Sequence, residues 1–356
     1  MEQIAALLKE HVDNHPGLET VDAVKFLYQS YLGPGHLVPS ESASLARLTE
    51  ELKQCGPDFG EFLTQPLGNG LCRLNLRPSQ KAGLSPATLN RLFFLTARQF
   101  QGDRAAFERA LDQVRDLKLP GSERFLADYR RQGCPAVSHS SAYRQRYRPA
   151  YRVVLARFGA LVPILAAIDR EMARREHVRL AIDGPCASGK STLAETLADI
   201  YRCPVVHMDD FFLQPHQRTP ERLAQPGGNV DYERFDAQVL SPLYRNEAAR
   251  YRPWRCRTGD LGPKITLCPA PLMVFEGSYS LRPDLRERYH LRVWTEAPWD
   301  VRLARIAQRG PGCTARFQQI WIPLEDRYFA ACQVKECCQL VWFRQDLCAK
   351  LFAGSG

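Results

Sequence analysis

The stretch VRLAIDGPCASGKSTLAETLADI, residues 178–200, decides the fold of the half of the chain that contains it. Its short apolar run predicts a β-strand at 178–182, and the amphipathic segment after Ser191 predicts a helix. Between them, residues 184–191 match the pattern G-x-x-x-x-G-K-[ST], with the strand before it and the helix after it that the pattern requires. Gly184 and Gly189 permit backbone conformations and close approaches that a Cβ atom would block. The stretch therefore predicts a phosphate-binding loop.

The residues of this loop have the chemistry that a nucleoside triphosphate requires. Backbone N–H groups of the loop, together with the positive end of the following helix, form a cradle for phosphate oxygens. Lys190 is placed to reach the β- and γ-phosphates, and the Ser191 hydroxyl is placed to ligate Mg²⁺. We therefore expect ATP and Mg²⁺ as cofactors. The residues expected to bind the nucleotide are Gly184, Pro185, Cys186, Ala187, Ser188, Gly189, Lys190, Ser191 and Thr192.

Length and hydrophobic periodicity indicate two domains. A chain of 356 residues is long for a single hydrophobic core. Residues 1–130 show helical spacing of apolar residues in most segments, with one short alternating run at 71–76, and residues 151–176 read as a connecting helix. We place the boundary near residue 170, which divides the chain into a mainly helical accessory domain at 1–170 and a P-loop domain at 171–356.

The second half alternates apolar strands with helices. After the strand at 178–182, further strands are expected at 203–208, 271–277, 290–295 and 338–343. Such alternation predicts an α/β fold in which about five strands form a parallel, doubly wound sheet with right-handed crossovers.

Acidic residues follow two of these strands. Asp209 and Asp210 come after the run CPVVHM, and Glu276 ends the run PLMVFE. The carboxyl ends of parallel strands face the ligand crevice of an open α/β sheet. Asp209 could there accept a proton from a substrate hydroxyl that attacks the γ-phosphate, and Glu276 has the position expected to hold the Mg²⁺ water shell. The alternative for the aspartate pair is simple turn formation.

With these residues in place, the C-terminal half resembles the uridine kinase and phosphoribulokinase group of P-loop kinases. The resemblance spans about 178–343 and rests on GPCASGKST, DDFF, NVDYERFD, FEG and RLARIAQRG. It implies that Asp209 is the catalytic aspartate, that Asp231 binds the sugar and that Glu276 lies near Mg²⁺. It also implies that Arg309 and Arg316 are lid arginines that close over the phosphates, with Lys190 completing the catalytic set.

The chain departs from this group in the lid and in the segment that binds the acceptor. Thr314 stands where these kinases often have another lid arginine. The segment RPWRCRTGD places Trp254 and Arg255, both candidate substrate-binding residues, where the family has a P-x-Y-D pattern that recognises a pyrimidine. A nucleoside or another sugar-like alcohol is therefore the expected acceptor, and uridine itself is not specified. Arg255 and Arg257 would suit an acceptor that already bears a phosphate or carboxylate.

A second hypothesis starts from the overall charge and one unusual segment. The chain has 48 Lys and Arg against 39 Asp and Glu, a net charge of +9, which suits polyanionic ligands. Tyr143, Tyr147 and Tyr151 recur at helical spacing among arginines, a pattern that could stack bases and neutralise phosphates. The chain could then be a nucleotide-gated protein that binds nucleic acid or protein, or a kinase for a macromolecule held by residues 1–170. Packing of one domain on another is the competing interpretation of this segment, and it is favoured.

The remaining signals indicate a cytoplasmic protein without membrane association. The first residues lack a basic signal-peptide region, and the uncharged run at 158–168 is too short to cross a bilayer. The 12 cysteines lack zinc-site spacing, so we expect them to be reduced. Cys186, inside the loop, is either an oxidation-sensitive thiol or, as favoured here, a passive loop residue.

Overall fold

The structure, a computed structural model, describes residues 2–55 and 63–343. Its chain divides into two compact units, Met1–Arg170 and Glu171–Gly356. The last residues of the second unit, 344–356, lie outside the described residues, as does the segment 56–62 of the first. Within the described ranges, no helix has both the length and the apolar character that crossing a bilayer would require.

The first unit is mainly helical, with one small sheet. Its helices are α1 Glu2–Asp13, α2 Thr20–Leu32, α3 Glu41–Gln54, α4 Leu76–Ala82, α5 Pro86–Gln99, α6 Arg104–Ala110, α7 Gln113–Asp116, α8 Ser122–Arg131, α9 Ser141–Tyr147, α10 Ala156–Gly159 and α11 Val162–Met172. Its strands are β1 Thr64–Gly68, β2 Leu71–Asn75 and β3 Tyr151–Leu155. A 3-10 turn covers Gly35–Leu37. Side-chain caps accept backbone N–H groups at the starts of several helices, at Ser40, Ser85, Asp103 and Ser140.

The small sheet is antiparallel, in the order β1-β2-β3. Asn69 and Gly70 join its first two strands with φ values of 49° and 73°. Positive φ at both central residues is what a two-residue hairpin turn requires, which explains the Asn-Gly pair. The Asn69 side chain also donates to the Ser30 carbonyl 3.0 Å away, so that the turn is tied to α2.

The prediction of one helical tyrosine stripe is wrong. Tyr143 and Tyr147 lie on α9, but this helix ends at Arg148, which has the left-handed φ of 40°. Pro149 follows and lacks the N–H that a continuing helix would need. Tyr151 then begins β3, so the expected connecting helix over 151–176 is replaced by a strand, the short α10 and α11.

The second unit contains a five-stranded parallel sheet, which confirms the predicted α/β class. Its strands are β4 Val178–Asp183, β5 Val205–His207, β10 Leu272–Glu276, β11 Leu291–Glu296 and β12 Leu340–Phe343, in the order β12-β11-β4-β10-β5. The strand before the glycine-rich loop, β4, is therefore central. Two small antiparallel pairs lie between β5 and β10 in the chain: β6 Ala249–Tyr251 with β9 Ile265–Leu267, and β7 Trp254–Arg255 with β8 Asp260–Leu261.

Helices connect these strands. They are α12 Lys190–Tyr201, α13 Pro220–Ala224, α14 Tyr232–Phe235, α15 Ser241–Tyr244, α16 Pro283–Arg286, α17 Trp299–Ala307, α18 Cys313–Arg316 and α19 Ile322–Cys332. Met208–Phe211 and Pro215–Gln217 form 3-10 turns, and Asp236–Leu240 and Phe317–Trp321 are π-helical. The core against the sheet includes Phe211, Phe235 and Phe275, each fully buried. Burial of such side chains fixes the sheet on which the site is built.

Candidate active site

The glycine-rich loop has the backbone conformation that its sequence predicts. Gly184, Ala187 and Gly189 have φ values of 146°, 59° and 106°. A Cβ atom on Gly184 would lie 2.4 Å from the Thr295 carbonyl oxygen on β11, so only glycine fits there. Helix α12 starts at Lys190, and the first N–H groups of a helix have no acceptor within it. These groups face the cavity as a ready anion site.

Lys190 and Ser191, the last two residues of the loop, have the positions that a phosphate and metal site requires. The Lys190 ammonium donates to the carbonyl oxygens of Gly184 at 2.8 Å and Pro185 at 3.0 Å. The Ser191 hydroxyl lies 3.3 and 3.2 Å from the two carboxylate oxygens of Glu276. Since hydroxyl and carboxylate oxygens are the ligands that Mg²⁺ prefers, this donor pair fits that ion. Among the described residues, no group of three or more His, Cys, Asp and Glu side chains is arranged to hold a metal.

His207 is a further partner of Glu276. Its Nδ1 lies 2.5 Å from Glu276 Oε1 at the end of β5. This hydrogen bond to the carboxylate raises the pKa of His207 above its ordinary value. The pair orients the carboxylate toward Ser191.

Asp209 and Asp210 have different surroundings. Asp209 lines the cavity, and no hydrogen bond or ion pair engages its carboxylate among the described residues. Solvent reaches this side chain through the cavity, but desolvation by the surrounding protein raises its pKa to about 6, and the nearby Glu276 charge acts in the same direction. Asp210 instead accepts a hydrogen bond from the Tyr251 hydroxyl at 3.1 Å. Only the first carboxylate is available to a ligand.

Two acidic residues that sequence reasoning missed hold the loop in place. Asp183 is fully buried and accepts hydrogen bonds from the Gly184 N–H (2.7 Å), the Leu281 N–H (2.9 Å) and the Tyr328 hydroxyl (2.8 Å). Glu325, on α19, accepts from the Cys186 N–H at 2.8 Å and the Ser278 hydroxyl at 2.6 Å. The position of Asp183 directly before the first glycine could have indicated its role, whereas nothing local in the sequence indicates that of Glu325.

Arginines lie on α17 (Arg302 and Arg305), after its end (Arg309) and on α18 (Arg316). Arg302 and Arg305 donate to the Cys186 and Ala187 carbonyls at 2.9 and 2.7 Å. Arg309 lines the cavity, with its guanidinium 5.2 Å from the centre of the Phe317 ring. Arg316, the other predicted lid arginine, does not line the cavity; its guanidinium lies 5.9 Å from the centre of the Trp321 ring. The first two arginines were not expected from the sequence.

Three predicted substrate-binding residues lie outside the cavity lining. Asp231 accepts from the Arg234 N–H at 3.0 Å, which caps α14, and from the Gln217 amide at 2.7 Å. Trp254 is buried in β7, and Arg255 is exposed beside it. From the segment that carries Trp254 and Arg255, Cys256 lines the cavity instead. Phe212 and Trp321, from other segments, line it as well.

Cys186 lines the cavity but has little thiolate character. Its side chain is buried, and burial together with the Glu325 carboxylate raises the pKa of the thiol to about 11. A protonated thiol is a poor nucleophile toward oxidants, so the passive interpretation fits this residue.

The residues of the loop, Asp209 and Glu276 meet around one cavity of about 280 Å³ at the carboxyl ends of β4, β5 and β10. This volume is close to the lower end of roughly 300–1,000 Å³ that is typical of small-molecule sites. A glycine-rich loop between the central strand of a parallel sheet and the helix that follows defines a P-loop domain.

Known structures with kinase assignments resemble part of this chain. One assigned as a uridine kinase, from Bacillus stearothermophilus, is 20% identical with a TM-score of 0.38 and covers 50% of this chain and 98% of its own. One assigned as a fructose transport system kinase, from Silicibacter sp. TM1040, is 24% identical with a TM-score of 0.41 and covers 50% and 97%. A shikimate kinase from Bacteroides thetaiotaomicron is 14% identical with a TM-score of 0.26 and covers 48% and 88%.

These matches each cover about half of this chain. No family model and no curated protein matches the chain.

Proposed function

We propose that the chain is an ATP-dependent phosphotransferase that moves the γ-phosphate of ATP to a hydroxyl group of a nucleoside or another small sugar-like acceptor. The observation that carries this proposal is the free carboxylate of Asp209 in the same cavity as the phosphate-binding loop and the Ser191–Glu276 pair. A nucleotide-binding switch needs the loop and a metal site, but it does not need an unengaged carboxylate beside them.

Each residue has a separate role in this reaction. The loop and the start of α12 bind the phosphates, and Lys190 turns from its carbonyl acceptors to the β- and γ-phosphate oxygens. Asp209 accepts the proton of the acceptor hydroxyl while the hydroxyl oxygen bonds to the γ-phosphorus and the bond to the β-phosphate bridging oxygen breaks, leaving ADP. A pKa raised to about 6 suits a base that works near neutral pH.

Mg²⁺ would be held by Ser191 and, through its water shell, by Glu276. When bound, it would supply positive charge that offsets the negative charge developing on the phosphates. Arg309 lines the cavity and supplies further positive charge, and Arg316 would join it if the segment that carries both closes over the phosphates. Asp231, Trp254 and Arg255 remain candidates for acceptor contacts in that closed form.

A transfer assay with γ-labelled ATP tests this function directly. The acceptors are a panel of nucleosides, sugars and other small alcohols, with RNA as a macromolecular acceptor. We expect label on one small molecule, and we expect Lys190→Ala to abolish the transfer without unfolding the chain. Transfer that is unchanged in this variant would remove the proposed mechanism.

Two other results would favour the alternatives. Label found only on RNA or protein would make residues 1–170 a holder of a macromolecular substrate. Tight ATP binding without transfer to any acceptor would favour a nucleotide-gated binding protein.

A further inference from the structure

Tyr279 lies in the turn that follows β10, and its side chain lines the cavity that contains the phosphate-binding loop and Asp209. We propose that the Tyr279 hydroxyl donates a hydrogen bond to an oxygen of the γ-phosphate of bound ATP. The proposal rests on the function proposed above, because it takes this cavity to be an ATP site. It adds an uncharged donor to the charged groups that bind the phosphates.

The backbone of Tyr279 has a conformation that is unfavourable for a tyrosine. Its φ is 79°, in a region that residues with bulky side chains rarely adopt. Such conformations persist only where the surrounding structure enforces them, and they cluster at active sites and ligand-binding sites. The position of this outlier at the wall of the cavity therefore indicates a role for its side chain in binding or transfer.

Hydrogen bonds on both sides of Tyr279 enforce this conformation. The Ser278 hydroxyl donates to Glu325 Oε1 at 2.6 Å. The Ser280 hydroxyl donates to the Ile182 carbonyl at 3.0 Å, which ties the turn to the end of β4. The direction of the Tyr279 side chain is thus fixed before any ligand binds.

The ring of Tyr279 is held in place, but its hydroxyl is not engaged. The side chain is 3% exposed, and its ring meets the Tyr328 ring edge to face, with centroids 5.0 Å apart. Among the described residues, none forms a hydrogen bond with the Tyr279 hydroxyl, and the hydroxyl oxygen is not one of the fully enclosed polar atoms that lack a partner. The hydroxyl therefore opens into the cavity, where a ligand can reach it.

The surroundings keep this hydroxyl protonated, so that it acts as a donor. Burial raises the pKa of Tyr279 above its ordinary value, and the charges of Glu325, Asp183 and Asp209 act in the same direction. In the proposed reaction the γ-phosphate lies between the loop and Asp209. Its anionic oxygens are strong acceptors for an uncharged donor at this wall of the cavity.

Calorimetric titration of the full-length Tyr279→Phe variant tests the proposal, because this variant lacks only the hydroxyl. The ligands are ADP and the non-hydrolysable analogue β,γ-imido-ATP, each with Mg²⁺. We expect the affinity for the analogue to fall about 10- to 100-fold, the effect of one hydrogen bond to a charged group, and the affinity for ADP to change by less than about 2-fold. A merely structural role would lower both affinities alike. That result would overturn the proposal, as would an unchanged affinity for the analogue.

Tyr289→Phe is the matched control. Tyr289 is also a buried tyrosine of the second unit whose hydroxyl has no partner among the described residues, but it does not line the cavity. Its variant should bind both nucleotides with affinities within about 2-fold of those of the unchanged chain. Equal losses of analogue affinity in the two variants would show a non-specific effect and contradict the assignment.

These titrations need no acceptor, so their outcome is separate from that of the transfer assay. A selective loss of analogue affinity in Tyr279→Phe supports the assignment even if the chain transfers no phosphate. Binding of the analogue that does not depend on the hydroxyl overturns the assignment even if transfer occurs. Failure of the unchanged chain to bind either nucleotide would overturn both the assignment and the proposed function.

Discussion

Asp209 and Asp210 are adjacent in the chain, yet their side chains have different partners. Asp210 accepts a hydrogen bond from Tyr251, whereas Asp209 lies open in the cavity beside the phosphate-binding loop. Sequence alone predicts two carboxylates at a strand end. The direction in which each one points depends on the 3-10 turn Met208–Phe211 that carries them.

This difference leads to a prediction with an internal control. Asp209→Asn should keep ATP affinity and lower the transfer rate by roughly 10²-fold or more, the scale of a lost general base. Asp210→Asn removes a carboxylate of the same size one residue away and should lower the rate much less. Single-turnover kinetics with labelled ATP, together with ATP binding, would measure both. Equal losses in the two variants, or loss of ATP binding in the first alone, would contradict the assigned role of Asp209.

At the scale of elements, the close approach of the loop to β11 limits which residues can replace Gly184. Its φ of 146° is unfavourable for other residues, and a Cβ atom would lie 2.4 Å from the Thr295 carbonyl oxygen. Gly184→Ala should therefore lower the free energy of unfolding of the second unit by about 2–5 kcal/mol through strain and overpacking. It should also weaken ATP binding.

Gly259→Ala is the control for that variant. Gly259 has a φ of 72° but no atom within 4 Å of the new Cβ position, so only backbone strain of about 1–2 kcal/mol applies. Urea denaturation of both variants would compare them. If Gly184→Ala cost no more than Gly259→Ala, the contact with β11 would not be limiting.

Because His11 and His139 are buried, we expect the free energy of unfolding of the first unit to fall in mild acid. Burial lowers the pKa of His139 to about 4 despite the hydrogen bond that its ring donates to Asp22, with Arg73 and Lys25 acting in the same direction as burial. Burial also lowers the pKa of His11, with Arg73 next in importance. An unfolded histidine titrates near 6.5, so between pH 6.5 and about 4 the unfolded chain binds more protons than the folded one, and stability falls as pH falls.

From His139 alone, the expected loss between pH 7 and pH 5 is about 2 kcal/mol. Urea denaturation of the first unit at both pH values, in phosphate-free buffer, would measure it. His139→Gln should make the dependence on pH shallower. Stability that is constant, or that rises as the pH falls, would contradict the assignment of neutral, buried histidines.

At the scale of the whole molecule, we propose that residues 171–356 form a phosphotransferase domain that works without residues 1–170. The chain divides into compact units at this boundary, and the loop, Asp209, Glu276 and Glu325 all belong to the second one. A chain that begins at Glu171 should fold cooperatively and bind ATP with an affinity within a few-fold of the full-length protein. An insoluble or unfolded product would show that the two units depend on each other.

Much of the fold and part of the site follow from residues close together in the sequence. The loop 184–191, its flanking strand and helix, and the Asn-Gly hairpin turn depend on local backbone preferences, which neighbouring residues determine. The alternation of strands and helices in the second half likewise predicts a parallel sheet. The end of α9 was missed because an apparent helical spacing of tyrosines continued across Pro149, where the left-handed Arg148 had already ended the helix.

Contacts between distant residues were decided only by the tertiary structure. Glu325 reaches the Cys186 N–H across 139 positions of the chain, and the hydrogen bond between Asp22 and His139 spans 117. Which carboxylate of the pair Asp209 and Asp210 is open to the cavity depends on the packing of whole elements. The sequence by itself determined the phosphate-binding loop and the class of sheet, because both depend on the backbone preferences of neighbouring residues. The tertiary structure decided which side chains meet, because burial and charge balance are properties of the assembled core.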